Sequence, residues 1–187
     1  MNRTSRFISL SGLSGVSTGV IALAGVILAY YVVFNDQQYL VYEQVQISNK
    51  SFLNLLFIAS GTLILSILNA IYFTRIKTKK LNLKSWDTQS KRLLWNLFIP
   101  LGTGGLLCLM LLFKGFIGFL APLSLLFYGL ALVNGSKYTF PEIRTLGLIH
   151  ILLGLLAFQF IDLGLYFWAF GFGFIQIIYG LMIQRKY

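Results

Sequence analysis

The chain is poor in every residue type that usually carries chemistry. Its 187 residues include one cysteine, one histidine and five acids. With Cys108 alone no intrachain disulfide can form, so cysteine usage reports no redox compartment. Zinc and di-metal catalysis need clustered His, Cys, Asp or Glu ligands, whereas His150 and Cys108 fall in separate apolar runs. The H-E-x-x-H, Walker and G-x-S-x-G patterns are all missing. We therefore expect a protein that is not an enzyme and needs no cofactor or metal. Charge is scarce as well: 11% of the residues are charged and 57% apolar, where a soluble domain has about a quarter charged and about half apolar. A water-facing surface cannot be assembled from that composition.

What the chain has is six long apolar runs, at 7–34, 52–73, 93–113, 116–133, 140–161 and 163–183. A run the length of 52–73 makes a helix of about 33 Å, enough to cross a hydrocarbon core of about 30 Å. The expected fold is all-α, an integral membrane bundle of six transmembrane helices in three antiparallel hairpins, forming a single domain over 1–187. Ala22-Leu23-Ala24 has the small-x-small form of a signal-peptide cleavage site, but the apolar run continues ten residues past Ala24. A signal core is only about 7–15 residues long, so the first run reads as an uncleaved span. Pro100, followed by Gly102, Gly104 and Gly105, predicts a kink near 96–102, because proline cannot donate to the carbonyl of Asn96. Thr139-Phe140-Pro141-Glu142 predicts a helix start in which Thr139 caps and Glu142 reaches back. Lys114-Gly115 and Asp162-Leu163-Gly164 predict turns, while periodicity leaves 35–51 open between helix and strand.

The stretch 74–92 reads as a loop carrying Arg75, Lys77, Lys79, Lys80, Lys84, Lys91 and Arg92 against one acid, Asp87. If it is inside, Arg3, Arg6, Lys137, Arg144, Arg185 and Lys186 lie inside with it, and only Lys50 and Lys114 lie outside. Thirteen basic residues to two predict cytoplasmic termini by the positive-inside rule. In a soluble chain a net charge of +10 would suggest nucleic acid, but no soluble fold is available to present a basic stripe. The expected partners are therefore the lipid bilayer and a homo-oligomer or another membrane protein, with no nucleic acid.

Two further patterns concern packing. In the first span Ser11, Gly15, Thr18, Ala22, Gly25 and Ala29 keep one small face, and Gly19 adds Gly15-x-x-x-Gly19; such a face lets a neighbouring backbone approach closely. Gly147, His150, Gly154 and Ala157 share a face of span five, as do Ala169, Gly173, Gln176 and Gly180 on span six. Folding the last hairpin about Leu163 puts His150 and Gln176 at one level and predicts a hydrogen bond between them. Folding the middle hairpin about Gly115 likewise puts Asn96 and Asn134 at one level. With Asn69 these five form a candidate polar layer in the cytoplasmic half, either interhelical packing or a cytoplasm-facing vestibule for a small ligand.

An arginine precedes each odd span (Arg6, Arg92, Arg144), and each even span carries a tyrosine toward its inner end (Tyr72, Tyr128, Tyr179). Those tyrosines fit either a two-span repeat or the general preference of tyrosine for the interface. The runs Gly147-Leu148-Ile149-His150-Ile151-Leu152-Leu153-Gly154 and Gly171-Phe172-Gly173-Phe174-Ile175-Gln176-Ile177-Ile178-Tyr179-Gly180 resemble the glycine-spaced hairpin of the HdeD-type acid-resistance membrane proteins. Arg92-Leu93-Leu94-Trp95-Asn96-Leu97-Phe98-Ile99-Pro100 and Tyr128-Gly129-Leu130-Ala131-Leu132-Val133-Asn134 resemble uncharacterised six-span bacterial proteins. The resemblance implies a bacterial cytoplasmic membrane and transfers no functional residue. The expected function is that of a multi-pass protein acting through helix packing or partner binding, with a small-solute transporter or channel as the alternative.

Overall fold

The computed structural model describes residues 12–34, 49–80, 88–139 and 141–186, and no strand occurs among them. Helix α1 spans Gly12–Ala29 and ends in a π-helical turn, Tyr30–Phe34; α2 spans Asn49–Lys80 and α3 Thr88–Phe113. Then come α4, Leu120–Gly135, and α5, Pro141–Gln159. The last rod is composite: α6, Gly164–Trp168, runs into a π-helix, Ala169–Ile175, and then α7, Gln176–Lys186. Six of the resulting helical stretches are long and apolar enough to cross a membrane.

The expected basic loop is shorter than its charge suggests. Helix α2 continues through Arg75 to Lys80, and α3 already begins at Thr88. No Gly or Pro interrupts 74–92, and Lys and Arg are strong helix formers, so charge ends the apolar stretch without ending the helix. Residues 81–87, with Lys84 and Asp87, lie outside the described residues, as do Arg3, Arg6, Ser11 and most of 35–51. The turn at Lys114-Gly115 has a clear local cause. Gly115 takes φ 79°, Phe116 N–H donates to Leu111 O at 2.9 Å and Gly115 N–H to Leu112 O at 3.1 Å. Those are the two bonds of a Schellman motif, and its left-handed position favours glycine.

Helix α3 continues through Pro100 without a break, and the carbonyl that proline leaves without a donor finds another one, described below. One local expectation needs correction. The capping box at 139–142 does not form: Thr139 is buried and its hydroxyl makes no hydrogen bond. Glu142 Oε1 instead pairs with Lys186 Nζ at the end of α7, since an ammonium competes better for a carboxylate than a neutral backbone N–H does.

Tertiary packing centres on α4 against α5 and on α1 against the last rod, with α2 laid on α1 and α3 on α4. Leu132, Ile143, Leu146, Tyr179 and Ile183 form one buried cluster, and Leu125, Leu153 and Ala157 form another. The two tight contacts are made backbone to backbone. A Cβ added at Gly129 would lie 2.6 Å from Gly147 O, and one at Gly147 would lie 2.8 Å from Gly129 O. At the α1–α7 contact a Cβ at Gly180 would lie 2.5 Å from Val16 N. Real side chains do not approach that closely, so glycine sets the separation of both pairs.

Candidate functional site

The five residues of the candidate polar layer fall into three separate places. On α2, Asn69 Nδ2 donates to Ser17 Oγ at 2.7 Å and Thr18 Oγ1 at 3.3 Å. Both hydroxyls in turn donate to carbonyls of their own helix, Leu13 and Ser14, at 2.7 Å. This knot ties α2 to α1 with each donor engaged.

The second place is built around Pro100. An interior proline removes the helical bond to the carbonyl four residues back, which here is Asn96 O. Asn134 Nδ2, projecting from α4, donates to that carbonyl at 2.9 Å. The Asn96 side chain meanwhile donates to Arg92 O at 2.7 Å, inside its own helix. A neighbouring helix thus supplies the missing donor, as happens when proline is tolerated inside spans.

The third place lies between α4, α5 and the π-helix. His150 is fully buried, with Nδ1 at 2.9 Å from Leu146 O. Its Nε2, on a ring packed beside Gly171, makes no hydrogen bond. The expected His150–Gln176 bond is not made. Tyr128 of α4 packs on the imidazole instead, its ring centroid 4.9 Å from that of His150. Phe172 closes the cluster, with centroids 4.9 Å from Tyr128 and 4.7 Å from Trp168, and Trp168 Nε1 donates to Ser124 Oγ at 3.1 Å. Glu142 meets Lys186 near the inner end and Leu153 meets Gly171 within the π-helix, so α5 and the last rod run antiparallel close to the expected register, and His150 and Gln176 are both buried without bonding each other. A π-helix carries more residues per turn than an α-helix, and such turns concentrate at functional sites.

The glycines assigned to packing are redistributed in the same way. Gly15 and Gly19 face the last rod, where added Cβ atoms would meet Gly180 Cα at 3.0 Å and Gly173 O at 2.8 Å. Gly173 and Gly180 therefore serve the contact with α1 and not the one with α5. Gly154 faces α4, where a Cβ would lie 2.9 Å from Leu126 N. Sequence reasoning missed Tyr128 and Phe172 as neighbours of His150, and Trp168 and Ser124 beyond Phe172. Folding one hairpin at a time cannot show a third helix packing on it; the bulky Phe-Gly-Phe-Gly-Phe alternation at 170–174 was the available signal.

Two cavities, of about 470 and 250 Å³, lie away from all five polar residues. The larger is lined by Leu111, Phe116, Phe119, Leu123 and Phe158. Tyr30, Tyr31 and Tyr166 contribute to the smaller. Among the described residues no three His, Cys, Asp or Glu side chains are grouped to hold a metal ion. Comparisons with protein-family models, curated proteins and solved structures return no match.

Proposed function

We propose that this is a multi-pass membrane protein of non-enzymatic type, which acts by binding a partner within the membrane through the outward faces of α2 and α3. The partner is a second copy of the chain or another membrane protein. One observation carries the reading: no residue in the most apolar stretch of α2 is buried, and 11% of that of α3 is, against 44% in the span containing α4. Those open faces also hold glycines with nothing to pack against, since a Cβ added at Gly61 or Gly105 meets no atom within 4 Å. A glycine turned to lipid contributes little, whereas one turned to another helix permits close approach.

The six helices cross a bacterial cytoplasmic membrane as three antiparallel hairpins, with both termini cytoplasmic. Facing pairs support the hairpins: Ser17 with Asn69 and Gly25 with Thr62, Asn96 with Asn134 and Gly104 with Phe127. In each pair of helices one residue number rises as its partner's falls. The basic-residue asymmetry supports the orientation. The vestibule alternative draws no support from the two cavities, whose linings exclude the polar layer.

Reporter fusions test the membrane arrangement. Reporters after Lys80, Ser136 and Tyr187 stay cytoplasmic and one after Gln46 is exported; export of the first would end the six-span reading. Photo-crosslinkers at positions 61 and 105, compared with position 129 inside the α4–α5 contact, test partner binding. Adducts at the first two alone are expected, and proteoliposome flux in their absence would favour the transporter.

A further inference from the structure

We propose that the contact between α5 and the last rod binds one internal water molecule, held between the imidazole of His150 and the side-chain amide of Gln176. Two buried side-chain atoms there have no hydrogen-bond partner in the protein, His150 Nε2 and Gln176 Oε1. His150 is 0% exposed and Gln176 4%, so bulk solvent satisfies neither. A polar atom left in that state is costly inside a membrane, where lipid tails offer no donor. The two atoms belong to one contact. A Cβ added at Gly171 would lie 3.6 Å from His150 Cδ2, the carbon bonded to Nε2, so that edge of the ring stands against the last rod. Gln176 follows Gly171 by five residues, which is one hydrogen-bonded turn of a π-helix. It therefore stands one turn from the point that the imidazole touches.

Hydrogen-bonding chemistry selects the ligand. Nδ1 of His150 lies 2.9 Å from Leu146 O, and a carbonyl oxygen only accepts, so Nδ1 carries the proton. In the neutral imidazole Nε2 is then an acceptor. Gln176 Oε1 is an acceptor as well. Two acceptors cannot bond each other, but they can share a donor that carries two hydrogens. Size narrows the choice further. Tyr128 and Phe172 lie against the imidazole, with ring centroids 4.9 and 5.5 Å from its own, and a Cβ at Gly171 would already meet Leu125 Cδ2 at 2.6 Å. Water is the smallest neutral donor of that kind, and buried waters characteristically bridge groups that are otherwise unsatisfied. Bridging through water also holds α5 to the last rod where the direct bond is not made.

His150 is the one histidine of the chain, so its imidazole signals are unambiguous in a full chain prepared without a histidine tag. Solid-state NMR in liposomes, with magnetisation transferred from water protons, provides the test. The wild-type chain is expected to show a proton on Nδ1 and none on Nε2. Water magnetisation should reach the imidazole and not Leu125 or Ala157, which are buried to the same degree. Gln176→Met, checked for helicity by circular dichroism, should lose that transfer, and Tyr128→Phe should keep it. No transfer to the wild-type imidazole, or a proton found on Nε2, overturns the site, and neither reading needs Gln176→Met to fold. Transfer retained in Gln176→Met overturns the bridge. Loss in Tyr128→Phe would trace the signal to the tyrosine hydroxyl, and transfer that also reaches Leu125 and Ala157 would mean an open wet interior; both overturn the single bound water. All of these outcomes leave partner binding through α2 and α3 to its own crosslinking test.

Discussion

The α4–α5 contact and the outward face of α3 both carry glycines in apolar helices, yet the two regions differ completely in what those glycines meet. Gly129 and Gly147 press backbone against backbone, while Gly105 faces nothing within 4 Å. Composition does not distinguish them. What a glycine does is decided by its neighbour: one pair fixes the separation of two helices inside the molecule, and the other leaves room for a helix from outside it.

The contrast can be broken at several points. Gly129→Leu and Gly147→Leu should have the largest effect, destabilising by at least the 1–3 kcal/mol typical of overpacking, because the new side chain meets backbone that cannot give way. Denaturant titration in detergent measures this, and Gly105→Leu in the same assay should stay within about 0.5 kcal/mol. Gly15→Leu and Gly19→Leu come next, in the same 1–3 kcal/mol range but toward its lower end at Gly15, where the nearest atom is at 3.0 Å. Val20→Leu on the exposed side of α1 is the mild control.

A double-mutant cycle sharpens the account of α3. Asn134→Ala should cost about 0.6–1.7 kcal/mol, the range for interhelical hydrogen bonds in membranes. In a Pro100→Ala background the cost should shrink toward zero, since residue 100 then donates to Asn96 O itself. Equal costs in both backgrounds would mean that Asn134 does not substitute for the proline's missing donor. The smallest effect is expected at Glu142–Lys186: Lys186 is 56% exposed, and such pairs contribute about 0–1 kcal/mol and weaken with salt. Lys186→Ala, titrated at low and high ionic strength, measures it.

The parts of this molecule legible in its sequence are those governed by local pattern. Six apolar runs are visible as such, and six helices of adequate length and apolarity occur. The turn at Gly115 follows from one residue able to take a positive φ. Counting from that turn puts Asn96 and Asn134 at one level, and proline chemistry identifies Asn96 O as the carbonyl lacking a donor. What local pattern does not carry is the identity of partners. Gly154, Gly173 and Gly180 look alike on a helical wheel, yet the first meets α4 and the others α1. Tyr128 of a third helix packs on His150, and the last span turns π-helical over Ala169–Ile175, neither of which counting along one hairpin can show. Helix length beyond the apolar run was also hidden, because hydropathy reports where a membrane can end and not where hydrogen bonding does.

The most direct test of the division between a closed interior and an open outer face is one substitution read two ways. Gly105→Leu is made in the full chain carrying a photo-crosslinker at position 61 or 102, and both unfolding stability and adduct yield are measured. Unchanged stability with a loss of adducts is the predicted result. Lowered stability would place Gly105 inside the molecule's own packing, and unchanged adducts would show that no partner helix approaches there.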